Sequence, residues 1–408
     1  MGWLGLDDTD TLASGCTTFS LHLLLTQLPD HVEIGELRLV RLWPFAQQRT
    51  RGNAAVAVEL NTSNVKDLIR FLDAYWASEL QPLAGGITDT DEHKRLQSPT
   101  DPGMVWFEQL PAPSEFYLDA VRRHVTPDEV PEATKSWGGM GRIGATTAAV
   151  LWPQRSITWE AIAWRKESRW NTTERKVCED ALGQVSNLEG TFLTRDPRTQ
   201  RSLISPRGTC PVLFGVRGRT RDSAALSASM LIDAQSTEPV LSSRVFATNQ
   251  ASDDHLETMH TAEVSSIEIL PRGTTAISTK TGVWMAFSES GDVKKLAQTL
   301  KPGDTIEGFG LAPEEGIIHL EKLRIAVKKA LRVRPTCPKC DRTMKSMGQG
   351  QGVRCPECKQ RQEVGWEVAS SNEENCHWVQ PPSDSRRHLA QPLEWNESIE
   401  HSHKPHNG

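Results

Sequence analysis

Residues 5–20 read GLDDTDTLASGCTTFS. The apolar residues from Trp3 to Leu6 read as a short strand, and Thr18 to Leu28, with Phe19, Leu23 and Leu24 among its apolar positions, reads as a helix. Asp7, Asp8 and Asp10 fall between them, at the carboxyl edge of the strand. Carboxylates this close repel one another, so they need open solvent or a cation. Oxygen ligands of this kind suit Mg²⁺, which takes one or two carboxylates and fills its other positions with water and substrate phosphates. Ser14-Gly15-Cys16-Thr17-Thr18 then leads into a helix whose free N–H groups attract anions. Together these features describe a Mg²⁺-phosphate site without a Walker lysine. The same residues also suit an acidic turn followed by a Thr N-cap. No nearby His is indicated that would activate Cys16 as a nucleophile.

Working outward, Leu37–Leu42 and Ala54–Leu60 read as strands, Val65–Trp76 as a helix and Gly85–Pro102 as a loop. A second α+β region spans about Glu132 to Leu256, opening with GGMGRIGATTAAV and containing the strand ITWEAIAW. Five short β runs follow: VSSIEIL, TTAISTK, GVWMAFS, DTIEGFGLA and GIIHLEKLRIAV, divided by PRG, SGD and PGD turns. They suit a small barrel of the OB type, which holds single-stranded nucleic acid by base stacking and a basic groove. An SH3-like barrel or a plain structural β-domain fits the same pattern. From Ser370 onward the chain is polar and ends HSHKPHNG, the composition of a partly disordered tail.

The 408 residues allow several domains, and a charged fraction of 24% with 37% hydrophobic residues is that of an ordinary globular protein. No apolar run approaches the roughly 20 residues a membrane helix needs, and MGWLGLDD lacks the basic and apolar regions of a secretory signal. The expectation is a cytoplasmic protein with no membrane partner. Leu6 stands where a myristoylation site needs Ser or Thr. A net charge of −6 argues against indiscriminate coating of nucleic acid, yet Arg324 to Lys345 holds eight Lys or Arg and one Asp. That stretch suits either a limited phosphate-recognising surface or a solvated linker.

CPKC and CPEC place Cys337, Cys340, Cys355 and Cys358 as two C-x2-C knuckles fourteen residues apart. This is the ligand spacing of a structural Zn²⁺ ribbon, closed to water, whose metal supplies folding energy to a segment too small for a core.

GLDDTD followed by GCTT resembles the opening of the archaeal tRNA(Ile) 2-agmatinylcytidine synthetase family. Further stretches resemble it in the same order: RLWPFAQQRTRGNAAV, SPTDPGMV, GGMGRIGA, CPVLFGVRGRT, TNQASDDHL, IHLEKLRIAV, the CPKC and CPEC pair, and RRHLAQPL. The resemblance spans nearly the whole chain. It departs at GGMGRIGA, where a GRGLIGA-like sequence is usual, and at TNQAS, where TNQGT is usual; neither change removes a carboxylate or thiolate.

The resemblance implies a multidomain α+β fold. A kinase-like α/β domain would span 1–130, a ferredoxin-like domain 131–258, an OB-fold barrel 259–328, a zinc ribbon 333–370 and a tail 371–408. It implies an ATP-dependent ligase that replaces the 2-oxo group of the wobble cytidine in the CAU anticodon of tRNA(Ile) with agmatine. That oxygen would first be phosphorylated and then displaced by the agmatine amine, with ATP also split to AMP and pyrophosphate. By position, Asp7, Asp8 and Asp10 would hold Mg²⁺ and the triphosphate, and Thr17 matches the family's autophosphorylated threonine. Thr18, Arg51, Gly52, Asn53, Gly139, Gly141 and Arg142 would contact ATP, phosphate or RNA. Asn249, Asp254 and His255 are candidates for substrate contact, with turn and cap duty the competing reading. The cofactors implied are ATP, Mg²⁺ and a structural Zn²⁺; the partners are the CAU-anticodon tRNA and agmatine. Two other functions fit parts of the chain: a non-catalytic single-strand-binding protein, and a Mg²⁺-dependent phosphatase or nucleotidyltransferase acting on small molecules. The first has no use for clustered carboxylates, and the second has none for the ribbon.

Overall fold

The computed structural model describes residues 1–10, 15–46, 53–86, 98–111, 115–153, 156–329, 332–363, 367–368 and 377–395. The chain forms two compact units, Met1–Glu257 with Pro382–Gly408, and Thr258–Pro381. Among the described residues no helix is long and apolar enough to cross a membrane.

The first unit is built on a nine-stranded sheet. Its elements run β1 (Gly2–Asp7), α1 (Thr17–Thr26), β2 (Glu33–Arg41), β3 (Ala54–Asn61), α2 (Val65–Tyr75), β4 (Gly103–Phe107), α3 (Glu115–Arg122), β5 (Lys135–Gly138) and α4 (Gly141–Ala149). They continue with β6 (Thr158–Arg165), α5 (Glu179–Ser186), β7 (Thr191–Phe192), β8 (Val212–Gly218), α6 (Arg221–Asp233) and β9 (Val240–Thr248). The spatial order is β5-β4-β1-β3-β2-β9-β6-β8-β7. β2 and β9 pair in parallel, which joins two otherwise antiparallel halves.

Alternation along the strands sorts side chains onto two faces. Leu4, Leu6, Val56, Val58, Met104 and Trp106 meet α1 and α2 on one face. Trp3, Val40, Ala55, Ala57, Val105 and Phe107 meet α3 and α4 on the other. In the second half Ala161, Ala163, Phe214 and Val216 pack under α5 and α6. Gly5 lets α4 approach β1 closely, because a Cβ there would stand 2.0 Å from the Ala145 carbonyl oxygen.

Register brings the sequence motifs to one end of this sheet. Asp7 lies opposite Gly103, and Gly103 opposite Gly138. Arg41 lies opposite Ala54, Leu39 beside Thr248, Thr248 opposite Thr158 and Trp159 opposite Gly218. The loops carrying DDTD, RLWPF, TDPG, GGMG, VRG and TNQASDDH all leave or enter there.

The segment 382–395, for which local sequence signalled no fold, packs onto this unit as a strap. The Ala251 and Asp253 N–H groups donate to the His388 and Leu389 carbonyls, and the Gln391 N–H donates to Asp253 Oδ1. Leu389 is buried with the apolar face of α3 and α4.

The second unit holds a closed barrel of β10 (His260–Ile269), β11 (Thr275–Thr279), β12 (Gly282–Ala286), β13 (Thr305–Glu314) and β14 (Ile317–Val327). Going round, the order is β10-β11-β12-β14-β13, with β12 and β14 parallel. The five β runs of the sequence are these strands. α7 (Asp292–Thr299), which the turn signals did not reveal, packs Val293 and Ala297 against Trp284, Ile277 and Ile325 in the barrel core. Arg324, the first cation of the basic stretch, is engaged within this unit: it pairs with Glu307 and lies over the Trp378 ring.

Candidate active site

β1 ends at Asp7, and the chain turns at once: Asp8 has a positive φ of 57°, a conformation that Asp and Asn tolerate better than most residues. The turn aims the Asp8 carboxylate across to the start of β4, where Oδ2 accepts the Asp101 N–H at 2.8 Å. The Asp101 Oδ2 in turn accepts the Met140 N–H at 2.7 Å, just ahead of α4. Asp101 was not singled out by the sequence, although it stands inside SPTDPGMV. Its link to Asp8 is a long-range contact that local pattern does not encode.

These carboxylates feel one another. Burial, then the charge of Asp8, pushes the Asp7 carboxyl well above the usual carboxylate range. Burial raises Asp8 to about 6, with Asp10 and Asp101 adding to the shift against the Asp101 N–H bond. Holding all of them ionised calls for a nearby positive charge. Gly144 on α4 makes room for Asp7, since a Cβ there would lie 1.9 Å from Asp7 Oδ2. Asp7, Asp8, Asn53, Arg123, Met140 and Gly141 line a cleft at this end of the sheet.

Asp10 turns the other way, to α1. The Thr17 hydroxyl donates to Asp10 Oδ1 at 3.2 Å, and both residues are buried. Cys16, not a threonine, occupies the N-cap and makes no side-chain cap bond, so the Thr N-cap reading of this stretch does not hold. Burial raises the Cys16 thiol to about 11, which leaves it a poor nucleophile. Thr18 points inward: its Oγ1 accepts the Trp164 indole N–H at 3.3 Å and lies 3.0 Å from the Cys16 sulfur.

The remaining candidates divide. Arg51 and Gly52 lie outside the described residues. Asn53 lines the cleft, but its Nδ2 donates to the Leu42 and Trp43 carbonyls and so shapes the β2–β3 turn. Gly139 lies against Asp101, where a Cβ would stand 2.0 Å from Oδ1, and Gly141 donates to the Asp101 carbonyl. Arg142 Nε donates to the Gly139 carbonyl. Asn249 staples β9 to β2, accepting the Arg41 N–H at 2.9 Å and donating to the Arg41 carbonyl at 3.0 Å. Asp254 accepts the Tyr117 hydroxyl at 2.6 Å, its carbonyl takes Arg122 Nε, and His255 is buried beside it. These three sit in the packing beneath the sheet end.

In the second unit Cys337, Cys340, Cys355 and Cys358 present sulfurs all within 4.8 Å of one another. Among the described residues no other group of three or more His, Cys, Asp or Glu converges as tightly. Hydrogen bonding to Cys358, followed by burial, pushes the Cys340 thiol up to about 12. The donor set fits a tetrahedral Zn²⁺. The three N-terminal aspartates form no such closed set.

Family profiles match in the order of the chain: the TiaS TCKD domain over residues 3–141, the TiaS FLD domain over 139–255 and the TiaS C-terminal zinc ribbon domain over 334–370. The isoleucine-tRNA 2-agmatinylcytidine synthetase TiaS of Methanopyrus kandleri is 32% identical, over 96% of each chain. A solved complex of TiaS with isoleucine tRNA and ATP superposes with a TM-score of 0.76 at 26% identity, covering 96% of this chain and 97% of that one. A complex of TiaS with the same tRNA, AMPCPP and agmatine gives 0.72 at 25%, over 96% of each. With three domain profiles of this family matched in order and a relative 32% identical over 96% of its length, the chain belongs to the tRNA(Ile) 2-agmatinylcytidine synthetase family.

Proposed function

We propose that this protein joins agmatine to carbon 2 of the wobble cytidine in the CAU anticodon of tRNA(Ile), driven by ATP. The observation that carries the reading is the single sheet end at which Asp7, Asp8, Asp101 and the Thr17–Asp10 pair gather. In this reading the half of the sheet around β1 is the kinase-like domain, the half around β6 the ferredoxin-like domain, and the barrel an OB fold that contacts RNA beside the zinc ribbon.

The 2-oxo group of cytidine is a poor leaving group. Phosphorylation converts it to one that departs as phosphate when the agmatine amine attacks carbon 2. Asp7 and Asp8 face the cleft, and their raised proton affinities favour a divalent cation there; Mg²⁺, when bound, offsets charge on the triphosphate. Asp101 holds the start of β4 against Asp8 and the turn before α4, so the carboxylates keep their spacing. Asp10 Oδ1 accepts the Thr17 proton as that hydroxyl takes a phosphoryl group, the nucleophile–base contact such a transfer requires. Thr18 and Trp164 fix the first turn of α1 so that Thr17 stays aimed. The four thiolates hold a structural zinc and take no part in the chemistry.

The test is a coupling assay: ATP consumption should require both agmatine and the CAU-anticodon tRNA, and radiolabelled agmatine should enter the tRNA. Steady ATP hydrolysis that leaves the tRNA unlabelled would point instead to a phosphatase.

A further inference from the structure

The RRHLAQPL motif lies in the strap and has no part in the scheme above, although the strap touches both halves of the sheet. On the half that carries β6, Asp384 pairs with Arg198 at 2.7 Å, and Trp395 meets Phe192 edge-on with ring centroids 4.9 Å apart. On the half that carries β1, the Arg387 guanidinium lies 4.9 Å from the Phe45 ring, and Phe45 meets Trp43 edge-on at 5.2 Å. Trp43 lines the cleft that holds Asp7 and Asp8. Leu389 is buried in the cluster of α3 and α4 that includes Ala120, another residue of the cleft wall.

The ladder that joins the halves is short, with Arg38 beside Ala247 and Leu39 beside Thr248. The chain then turns through 249–255, all of it buried. Asn249 holds the end of β2, and Asp254 holds α3 through Tyr117 and Arg122. Two residues of this turn, Ala251 and Asp253, have positive φ, 54° and 59°. That left-handed backbone costs free energy for a residue with a Cβ and persists where the surroundings hold it. The same two residues are the ones whose N–H groups donate to the strap, at 2.9 Å to the His388 carbonyl and 2.8 Å to the Leu389 carbonyl. The Gln391 N–H closes the turn on Asp253 Oδ1 at 2.7 Å.

We infer that the strap, seated by Leu389, is a positioning element of the active site. It holds the strained 249–255 turn, and with it the α3 wall of the cleft, in the arrangement that turnover needs. The link to turnover rests on the proposed function; the hold on the turn and on α3 does not. Leu389 acts through the wall and not on the reacting atoms. The cleft that Asp7 and Asp8 open near the start of the chain is therefore completed by a segment that follows the barrel and the ribbon.

The experiment uses the full chain at a temperature where circular dichroism shows every variant folded. Amide hydrogen exchange is read by mass spectrometry, and ATP turnover is measured with tRNA and agmatine. Leu389→Ala should speed exchange in 115–122 and 249–255 while α1 and α2 keep wild-type rates. Its kcat should fall roughly ten-fold or more, with the KM for tRNA within about two-fold of wild type. Leu389→Met, which keeps the side-chain volume, should restore both exchange and kcat. A contact that served stability alone would lower the Tm and leave kcat at that temperature unchanged. Wild-type exchange in both segments of Leu389→Ala, or faster exchange with an unchanged kcat, overturns the inference. The exchange arm needs no agmatine transfer, so failure of the strap's hold and failure of the proposed reaction are read separately.

Discussion

At the scale of single residues, Asp8 does two things that can be separated. Its charge contributes to the carboxylate group at the cleft, and its Oδ2 pins the start of β4 through the Asp101 N–H. Asparagine tolerates the positive φ at this position and keeps an acceptor for that N–H, so Asp8→Asn removes the charge and leaves the turn. The expected outcome is ATP turnover lowered by about a hundred-fold or more, with tRNA affinity in a filter-binding assay within about two-fold of wild type. Turnover close to wild type would take Asp8 out of the metal and phosphate machinery. Thr17→Ala should likewise remove any label transferred to the protein from γ-labelled ATP, with circular dichroism unchanged.

Among the elements, α1 and α4 set the site, and each is seated by contacts that local sequence does not announce. α4 reaches Asp7 through glycine: in Gly144→Ala the new Cβ meets Asp7 Oδ2 at 1.9 Å, so the carboxylate must move. ATP turnover should fall at least about ten-fold while the Tm changes by only a few degrees. Unchanged turnover would show that the position of Asp7 is not critical. α1 is seated through His22, which stacks on Trp164 at 4.8 Å and whose Nδ1 accepts Arg244 Nε at 3.1 Å. Burial and then Arg244 hold its pKa below the ordinary value, so the folded protein keeps the imidazole neutral. The unfolded chain then binds more protons than the folded one as the pH drops below about 6.5, so this contribution is complete above that pH and is lost on acidification. Thermal unfolding from pH 7.5 to 5 should fall more steeply for wild type than for His22→Gln; parallel curves would contradict the role.

At the scale of the whole molecule, the sequence was most readable where structure follows local spacing. The β1–acid turn–α1 opening, the alternating strands of the barrel and the two cysteine knuckles each depend on residues near one another, and each is where periodicity or spacing placed it. What could not be read depends on contacts between distant residues. The parallel β2–β9 pairing merges two halves into one sheet, Asp101 joins the carboxylates from another strand, and 382–395 folds back as a strap. Asn249 and Asp254 show the converse: the resemblance offers them for substrate contact beside ordinary turn and cap duty, and in the fold their side chains bond the backbone of β2 and the Tyr117 hydroxyl of α3. Division into two compact units makes the zinc site testable alone. Cys340→Ser should lower bound zinc and destabilise the ribbon, with ATP binding in the first unit unchanged. Full zinc content in that variant would refute the ligand assignment.

The central claim is the chemistry at carbon 2. The measurement that tests it most directly is mass spectrometry of the nucleosides from CAU-anticodon tRNA(Ile) after incubation with protein, ATP, Mg²⁺ and agmatine. The account predicts a cytidine heavier by one agmatine less one water, absent when ATP is omitted or Asp8→Asn replaces the wild type. An unmodified cytidine with the tRNA bound and the ATP intact would contradict it.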